Sequence, residues 1–264
     1  MNKKLAIIGG GNLGRAIAEG LAASSFTLPG HIFLTRRHVD PLRDLEDAGI
    51  LVSNDNRQAV RFADTVLIAV KPYQVRELLH QLKPELDPAR HVLCSVVTGV
   101  SIAEMAEILG ASFPMVRAMP NTAIAIGESM TCLCASGVSP EQSAYVEALF
   151  SHLGRVVAID ERLMDAATVL GACGIAYALR YIRASIQGGI EIGFDAATAS
   201  LIAAQTVKGA AELLIRTGRH PEEEIDKVTT PRGCTIAGLN EMEHCGFSSS
   251  LIKGIKASYE KIGH

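Results

Sequence analysis

Residues 4–14 read KLAIIGGGNLG, and this stretch constrains the fold more than any other part of the chain. An apolar run ends in three glycines, and an amphipathic helical pattern from Asn12 to Ala23 follows at once. Gly9, Gly11 and Gly14 fall at the G-x-G-x-x-G spacing. In a strand-turn-helix context the first glycine permits the tight turn and the second lets backbone approach a pyrophosphate. The third lets helix and strand pack closely. The helix start, where Asn12 and Leu13 stand, offers unpaired N–H groups and a positive dipole end to phosphates. The stretch therefore predicts the first βα turn of a dinucleotide-binding sheet, with Gly9, Gly11, Asn12, Leu13 and Gly14 around the cofactor. A plain strand-turn-helix is the alternative.

The rest of the first 160 residues supports a sheet of that kind. IFLT at 32–35, ILVS at 50–53, TVLIAV at 65–70 and HVLCSVV at 91–97 are short apolar runs. Helical patterns lie between and after them, at 41–48, 73–82 and 101–109. Runs apolar on both faces read as buried parallel strands, and their alternation with helices implies right-handed βαβ units. Ser139-Pro140-Glu141 opens a further helix before GRVVAIDE at 154–161. After that the pattern turns alanine-rich and helical. The expected fold is α/β: a Rossmann-type parallel sheet over residues 1–160, then an all-α dimerisation domain over 161–264. LMDAATVLGACGIAYALRYIRASIQ, from residue 163, is apolar nearly all round, so its helix must be buried on most sides. Little more than a hundred residues of helix offer few layers to bury it, which predicts that a second subunit covers it.

Composition closes off other classes. Hydrophobic residues make up 48% and charged residues 20%, enough for a sizeable core and unlike a disordered chain. A formal net charge of -3 without long single-sign runs argues against nucleic acid as a partner. The six cysteines lack paired metal-ligand spacing, and CLC at 132–134 reads as core packing. With no signal-peptide pattern, they are expected to be reduced thiols in a cytoplasmic protein. The longest charge-free run in the second half, Ala166 to Leu179, has 14 residues, short of the roughly 20 a spanning helix needs, so no membrane partner is expected.

The second strand ends at Thr35, about 20 residues past the glycines, where the adenosine ribose is read. Many dinucleotide folds place an acid there. Here Thr35 is followed by Arg36 and Arg37. A carboxylate would repel a 2′-phosphate by about 4 kcal/mol at 4 Å and an effective dielectric near 20, whereas guanidiniums bind phosphate bidentately. NADPH is the expected cofactor, with NADH as the alternative. The other reading makes both arginines solvated loop charges. Asn56 after the third strand, and Ala69, Val70, Lys71 and Pro72 at the end of the fourth, lie on the same C-terminal sheet edge and complete the expected cofactor set.

These residues resemble the pyrroline-5-carboxylate reductase family over essentially the whole chain. The matched segments are the glycine loop, AVKP at 69–72, SVVTGVS at 95–101, RAMPNT at 117–122, DAATVL at 165–170 and VTTPRGCTIAGL at 228–239. The resemblance implies hydride transfer to the C=N carbon of 1-pyrroline-5-carboxylate, giving L-proline as the last step of proline biosynthesis. It also implies a homodimer, in several members assembled into rings of dimers, with a helical domain that interlocks with its partner. Carried over, Thr235 bonds the ring nitrogen and is the catalytic position. The N–H groups of Gly233 and Cys234, with Thr230, hold the substrate carboxylate, and Glu161 matches an acidic position near the substrate. Lys227 would reach the cofactor from the partner. On the residues alone, TTPRGCT is also an ordinary helix cap, and Glu161 a solvated boundary charge.

The chain departs from the family pattern at Cys173 and Ile175, where a serine and a proline are usual, and at Arg232, where glycine is common. Losing the proline predicts a smoother helix start, and Arg232 predicts a loop that avoids positive φ there. SVVTGV is also bulkier than the common pattern. No histidine falls in a matched motif, so catalysis is expected to rest on positioning rather than on a general acid. A β-hydroxyacid dehydrogenase would place a lysine on the interdomain helix, but none occurs between Lys83 and Lys208. An idle NADP-binding regulator is the rival from another class, and intact Thr235 and MPNT argue against it.

Overall fold

The computed structural model describes residues 3–24 and 26–262. It divides into two compact units, one ending at Cys173 and the other running Gly174–Ile262. The strands of the first unit are β1 (Leu5–Ile8), β2 (Ile32–Thr35), β3 (Leu51–Ser53), β4 (Thr65–Ile68), β5 (Val92–Ser95), β6 (Met115–Met119), β7 (Ser129–Ser136) and β8 (Gly154–Ala158). Among the described residues they form one eight-stranded sheet in the order β3-β2-β1-β4-β5-β6-β7-β8. The order reverses at β1, beside β4. That reversal opens the crevice where open α/β sheets bind ligands.

The helices of this unit are α1 (Asn12–Ala23), α2 (Arg43–Asp47), α3 (Asn56–Phe62), α4 (Val75–Leu82), α5 (Ile102–Leu109), α6 (Pro140–Ser151) and the short α7 (Met164–Ala167). They cover both faces of the sheet, and β1 shows why its run is apolar throughout. Leu5 and Ile7 join a core with Ile17 and Leu21 of α1 and Phe150 of α6. Ala6 and Ile8 point to the opposite core, with Val60 of α3, Leu79 of α4 and Met105 of α5. Each such Leu or Ile contributes roughly 1.5–3 kcal/mol by leaving water. Helix starts are fixed by capping boxes, Ser101 with Glu104 on α5 and Ser139 with Gln142 on α6. Each cap is worth about 1 kcal/mol.

The sheet is parallel except at one place. β7 runs antiparallel to β6, with Arg117 opposite Cys134, and β8 then pairs parallel to β7. A parallel crossover needs about a dozen residues or more, and residues 120–128 are too few. Helix α3 was also absent from the expected element list. Cys132 and Cys134 lie on β7, and all six cysteines are free thiols. Burial pushes the Cys94 thiol up to about 12 and the Cys134 thiol up to about 11, so neither serves as a thiolate at neutral pH.

Between α7 and the second unit, Thr168–Cys173 forms a π-helical turn, so the helix start is not smoothed by the missing proline. A π-turn widens the backbone ring and releases i→i−4 carbonyls, which is why such turns gather at functional places. The second unit comprises α8 (Gly174–Glu191), α9 (Ala196–Thr217), α10 (Pro221–Lys227), α11 (Cys234–His244) and α12 (Phe247–Ile262). Asp195 caps α9 by accepting from the N–H groups of Ala197 and Thr198, each at 3.0 Å. At Gly189 on α8, an added Cβ would lie 3.2 Å from the Ala199 methyl, which lets the two long helices approach closely. Tyr177 donates to Ser258 Oγ at 2.6 Å, tying α8 to α12.

No residue of α8 is buried within one chain, and Leu179, Ile192 and Leu201 are more than half exposed. Within the helical run Glu161–Glu191 an 18-residue window has a mean hydropathy of 1.3, and the run is long and apolar enough, by length and composition, to cross a membrane. The charge-free run of the sequence understates it, because the helix continues through Arg180 and Arg183.

Candidate active site

The glycine turn is held by hydrogen bonds within the protein. The Thr35 carbonyl at the end of β2 accepts from both Gly9 N–H, at 3.1 Å, and Gly10 N–H, at 2.6 Å. Gly9 has φ +116, and a Cβ there would stand 2.5 Å from the Ala69 carbonyl oxygen. A Cβ on Gly14 would fall 2.0 Å from the Gly9 carbonyl oxygen, so α1 crosses the turn at a distance only glycine allows. Gly11 is different: nothing in the protein lies within 4 Å of its would-be Cβ, and its backbone faces an open cavity. The protein itself does not require glycine there, whereas a phosphate group seated against the backbone does. Gly11 also caps α1 without a side-chain bond, and no acid stands in the first turn. Both features leave the positive end of the helix for an anion.

The cavity, about 840 Å³, runs along the C-terminal ends of β1, β2, β4 and β5. Gly9, Gly11, Asn12 and Leu13 form its floor, and Thr35, Arg36, Arg37 and Asn56 one wall. Ala69, Val70, Lys71 and Pro72 form the other. Of the expected cofactor residues only Gly14 does not line it, since Gly14 is buried behind the turn. The Thr35 hydroxyl faces the Ile7 carbonyl at 3.5 Å, so this residue serves the turn through its backbone. Arg36 donates from Nη1 to the Gly10 carbonyl at 3.1 Å, and both arginines stand exposed at the cavity rim. The volume, the bare Gly11 and the cationic rim fit a dinucleotide carrying a ribose phosphate.

Sequence reasoning missed part of this lining. Val96, Val97 and Thr98 follow the end of β5, and the rule that ligands sit at C-terminal strand ends was signal enough to find them. His38 and Asn54 extend the rim, and Gln74, Glu77 and Gln81 line the cavity from the α4 side.

The second group of expected residues lies in the second unit. Thr230, Gly233, Cys234 and Thr235 form the turn that opens α11, with Gly233 as its cap and no side-chain cap bond. Arg232 adopts φ +59, the left-handed region that its sequence was expected to avoid. That conformation costs an L-residue about 1–2 kcal/mol. It closes a turn in which the Gly233 N–H donates to the Thr230 carbonyl at 2.9 Å. The Gly233 N–H is therefore engaged within the loop, and the N–H groups of Cys234 and Thr235 head the helix. A Cβ on Gly233 would lie 2.7 Å from the Thr230 hydroxyl, so the loop is tight at this point. Lys227 is held by Glu224 at 2.5 Å.

Glu161 belongs to the first unit, and its carboxylate is half-buried and paired. Its Oε1 accepts from the Ile102 N–H at the start of α5, at 2.7 Å, and from Arg117 Nη1 on β6, at 2.9 Å. Arg117 is buried, with its Nε lacking a partner among the described residues. In the neighbouring MPNT loop, Asn121 donates from Nδ2 to the Gly171 carbonyl in the π-turn, at 3.2 Å, and accepts from the Ala123 N–H at 3.1 Å. Arg117 and Asn121 both lie in RAMPNT, a segment whose polar members had no assigned local role in the sequence reading.

Two family models match the chain: pyrroline-5-carboxylate reductase dimerisation over residues 161–264, and NADP oxidoreductase coenzyme F420-dependent over residues 4–99. Pyrroline-5-carboxylate reductase 1 of Dictyostelium discoideum is 47% identical, matching 97% of this chain but 49% of its own length, so the chain spans about half of that relative. Pyrroline-5-carboxylate reductase 2 of the same organism is 43% identical over 98% of this chain and 92% of its own. A crystal structure of Plasmodium falciparum pyrroline carboxylate reductase with NADP bound superposes with a TM-score of 0.90 at 27% identity, covering 99% of this chain and 97% of that one. With matches of this length and identity, the chain belongs to the pyrroline-5-carboxylate reductase family.

Proposed function

We propose that this chain reduces 1-pyrroline-5-carboxylate to L-proline with NADPH, as the last step of proline biosynthesis, and that it does so as a homodimer, which can assemble further into rings of dimers. The observation that carries the cofactor half is the cavity in which the bare Gly11 backbone and the Arg36–Arg37 rim face the same space. Family membership carries the reaction half. NADPH, when bound, supplies the hydride that adds to the C=N carbon. In this reading Arg36 and Arg37 hold the 2′-phosphate, the α1 N-terminus receives the pyrophosphate, and Asn56 with Ala69–Pro72 flanks the adenosine half.

Thr235 is the catalytic position in this proposal, its hydroxyl orienting the ring nitrogen that ends protonated. The substrate carboxylate is held by Cys234 N–H and Thr230, with Gly233 shaping the loop. Rate then comes from holding the reacting atoms in register. Glu161 acts near the substrate through its grip on Arg117 and α5. Residues 1–160 serve the cofactor and 161–264 the substrate and the partner subunit. What supports that division is the span of the dimerisation family match and the uncovered apolar face of α8. A cytoplasmic, reducing location accords with six free thiols.

Initial rates with pyrroline-5-carboxylate, measured with NADPH and with NADH, test the reading. Wild type is expected to favour NADPH, and Arg36→Ala/Arg37→Ala to lose that preference. Turnover with an unchanged preference would return the arginines to surface charge, and no turnover with either cofactor would refute the activity.

A further inference from the structure

The cavity carries a carboxylate where a polyanionic cofactor would seem to forbid one. Glu77 lines it from α4, together with Gln74, Leu78 and Gln81. These positions are spaced 74, 77, 78 and 81, the i, i+3, i+4, i+7 set that shares one helical face. The arginine rim at the end of β2 and the α4 wall that follows β4 are separated by β1. Two inter-strand steps, roughly 10 Å, separate the ends of β2 and β4 from which these two elements start. Glu77 and the arginines thus enter the same cleft from different strand ends.

Glu77 has a partner one turn along the same helix: Gln81 Nε2 donates to Glu77 Oε1 at 3.1 Å. The pair therefore presents two adjacent groups with defined hydrogen-bonding sense. Glu77 keeps acceptor lone pairs, and the Gln81 amide keeps a second N–H. An acceptor beside a donor is the complement of a 6-aminopurine edge, which offers the N6 amino donor beside the N1 acceptor. A 6-oxopurine offers the reverse, an O6 acceptor beside an N1–H donor, and would set O6 against a carboxylate. Resting on the assignment of this cavity to NADPH, we propose that the Glu77–Gln81 pair reads the adenine base of the cofactor and selects it against 6-oxopurine dinucleotides. Leu78, buried between them on the same face, supplies the apolar surface that the base needs at its edge.

The test compares equilibrium binding of NADPH with that of its deaminated hypoxanthine analogue, by titration of cofactor fluorescence, without substrate. Wild type is expected to bind NADPH at least tenfold more tightly than the analogue. Glu77→Ala is expected to weaken NADPH by tenfold or more and to bring the two within about twofold. Glu77→Gln, whose amide can turn either way, should also lose the preference while remaining isosteric. Both side chains are exposed, so circular dichroism spectra should be unchanged. Equal binding of the two dinucleotides by wild type would overturn the proposal, as would discrimination that persists in Glu77→Ala. Equal weakening of both dinucleotides by Glu77→Ala, from an unchanged ratio, would assign the carboxylate to a ribose hydroxyl instead. Failure of wild type to bind NADPH at all would overturn the cofactor assignment, and this proposal with it.

Discussion

One carboxylate oxygen of Glu161 accepts from both the Arg117 guanidinium, at 2.9 Å, and the Ile102 N–H, at 2.7 Å. Three segments of the first unit thereby meet at a single atom: β6, the start of α5 and the turn leading into α7. Removing one partner of such a pair strands the other, which is the costly half of the trade. Glu161→Ala is expected to destabilise the protein by about 2–3 kcal/mol, below the roughly 3–5 of a fully buried pair because Glu161 remains partly wet. Urea unfolding checks this, and the double variant with Arg117→Met should recover part of the loss. A loss under about 0.5 kcal/mol, the range of ordinary surface changes, would rule out a structural role.

Thr235→Ala should lower turnover strongly while leaving NADPH affinity unchanged, because the glycine-loop cavity lies wholly in the first unit. Steady-state rates together with cofactor fluorescence titration separate the two quantities. Full turnover in the folded variant would remove Thr235 from catalysis.

Arg232 sits at φ +59, so Arg232→Gly relieves backbone strain in the loop that opens α11. The relief of about 1–2 kcal/mol is partly offset by roughly 0.4–1 kcal/mol of added freedom in the unfolded chain. A net gain of about 0.5 kcal/mol is expected, read as a raised denaturant midpoint. A lowered midpoint would mean that the arginine side chain itself stabilises the loop.

His91 gives the protein an acid-sensitive seam. Its Nδ1 accepts from the Asp87 N–H at 2.9 Å, and its Nε2 lies 3.2 Å from the Val60 carbonyl, so the neutral ring donates there. Burial, aided by the Arg90 charge, holds its pKa below the usual histidine value; the Val60 bond and the Asp87 and Asp64 charges oppose that only partly. With the folded pKa depressed, the unfolded chain binds the extra proton first. The contribution of His91 is therefore complete above about pH 6.5 and fades as pH falls through that value toward the folded pKa. Stability measured from pH 8 to pH 5 should decline in wild type and decline less in His91→Gln. Parallel curves would show that other groups control the acid limb.

Much of the first unit was legible because its signals are local. The glycine spacing, the both-faces apolar runs and the Ser101 and Ser139 caps each state their own structure, and α1 begins and ends where its pattern does. The reversal of β7 was not stated locally, since strand composition carries no direction; only the short 120–128 connection hinted at it. The π-turn at Thr168–Cys173 receives a bond from Asn121, far away in sequence, and no local pattern announces it. Glu161 shows the same limit: a carboxylate that looks solvated in sequence gains its partners only once β6 and α5 are assembled. At the cofactor cavity, residues on the glycine turn and strand ends were readable, while Glu77 and Gln81 needed the helix that presents them.

The double acceptance at the Thr35 carbonyl has a kinetic consequence. Two of the loop's N–H groups are already committed to β2, so the turn needs no ligand to hold its shape. A cofactor arriving at this edge meets a finished seat, and no loop ordering is subtracted from its affinity. Its capture rate is then governed by diffusion and by the field of the two arginines, so it should slow with added salt rather than with solvent conditions that stiffen or loosen the loop.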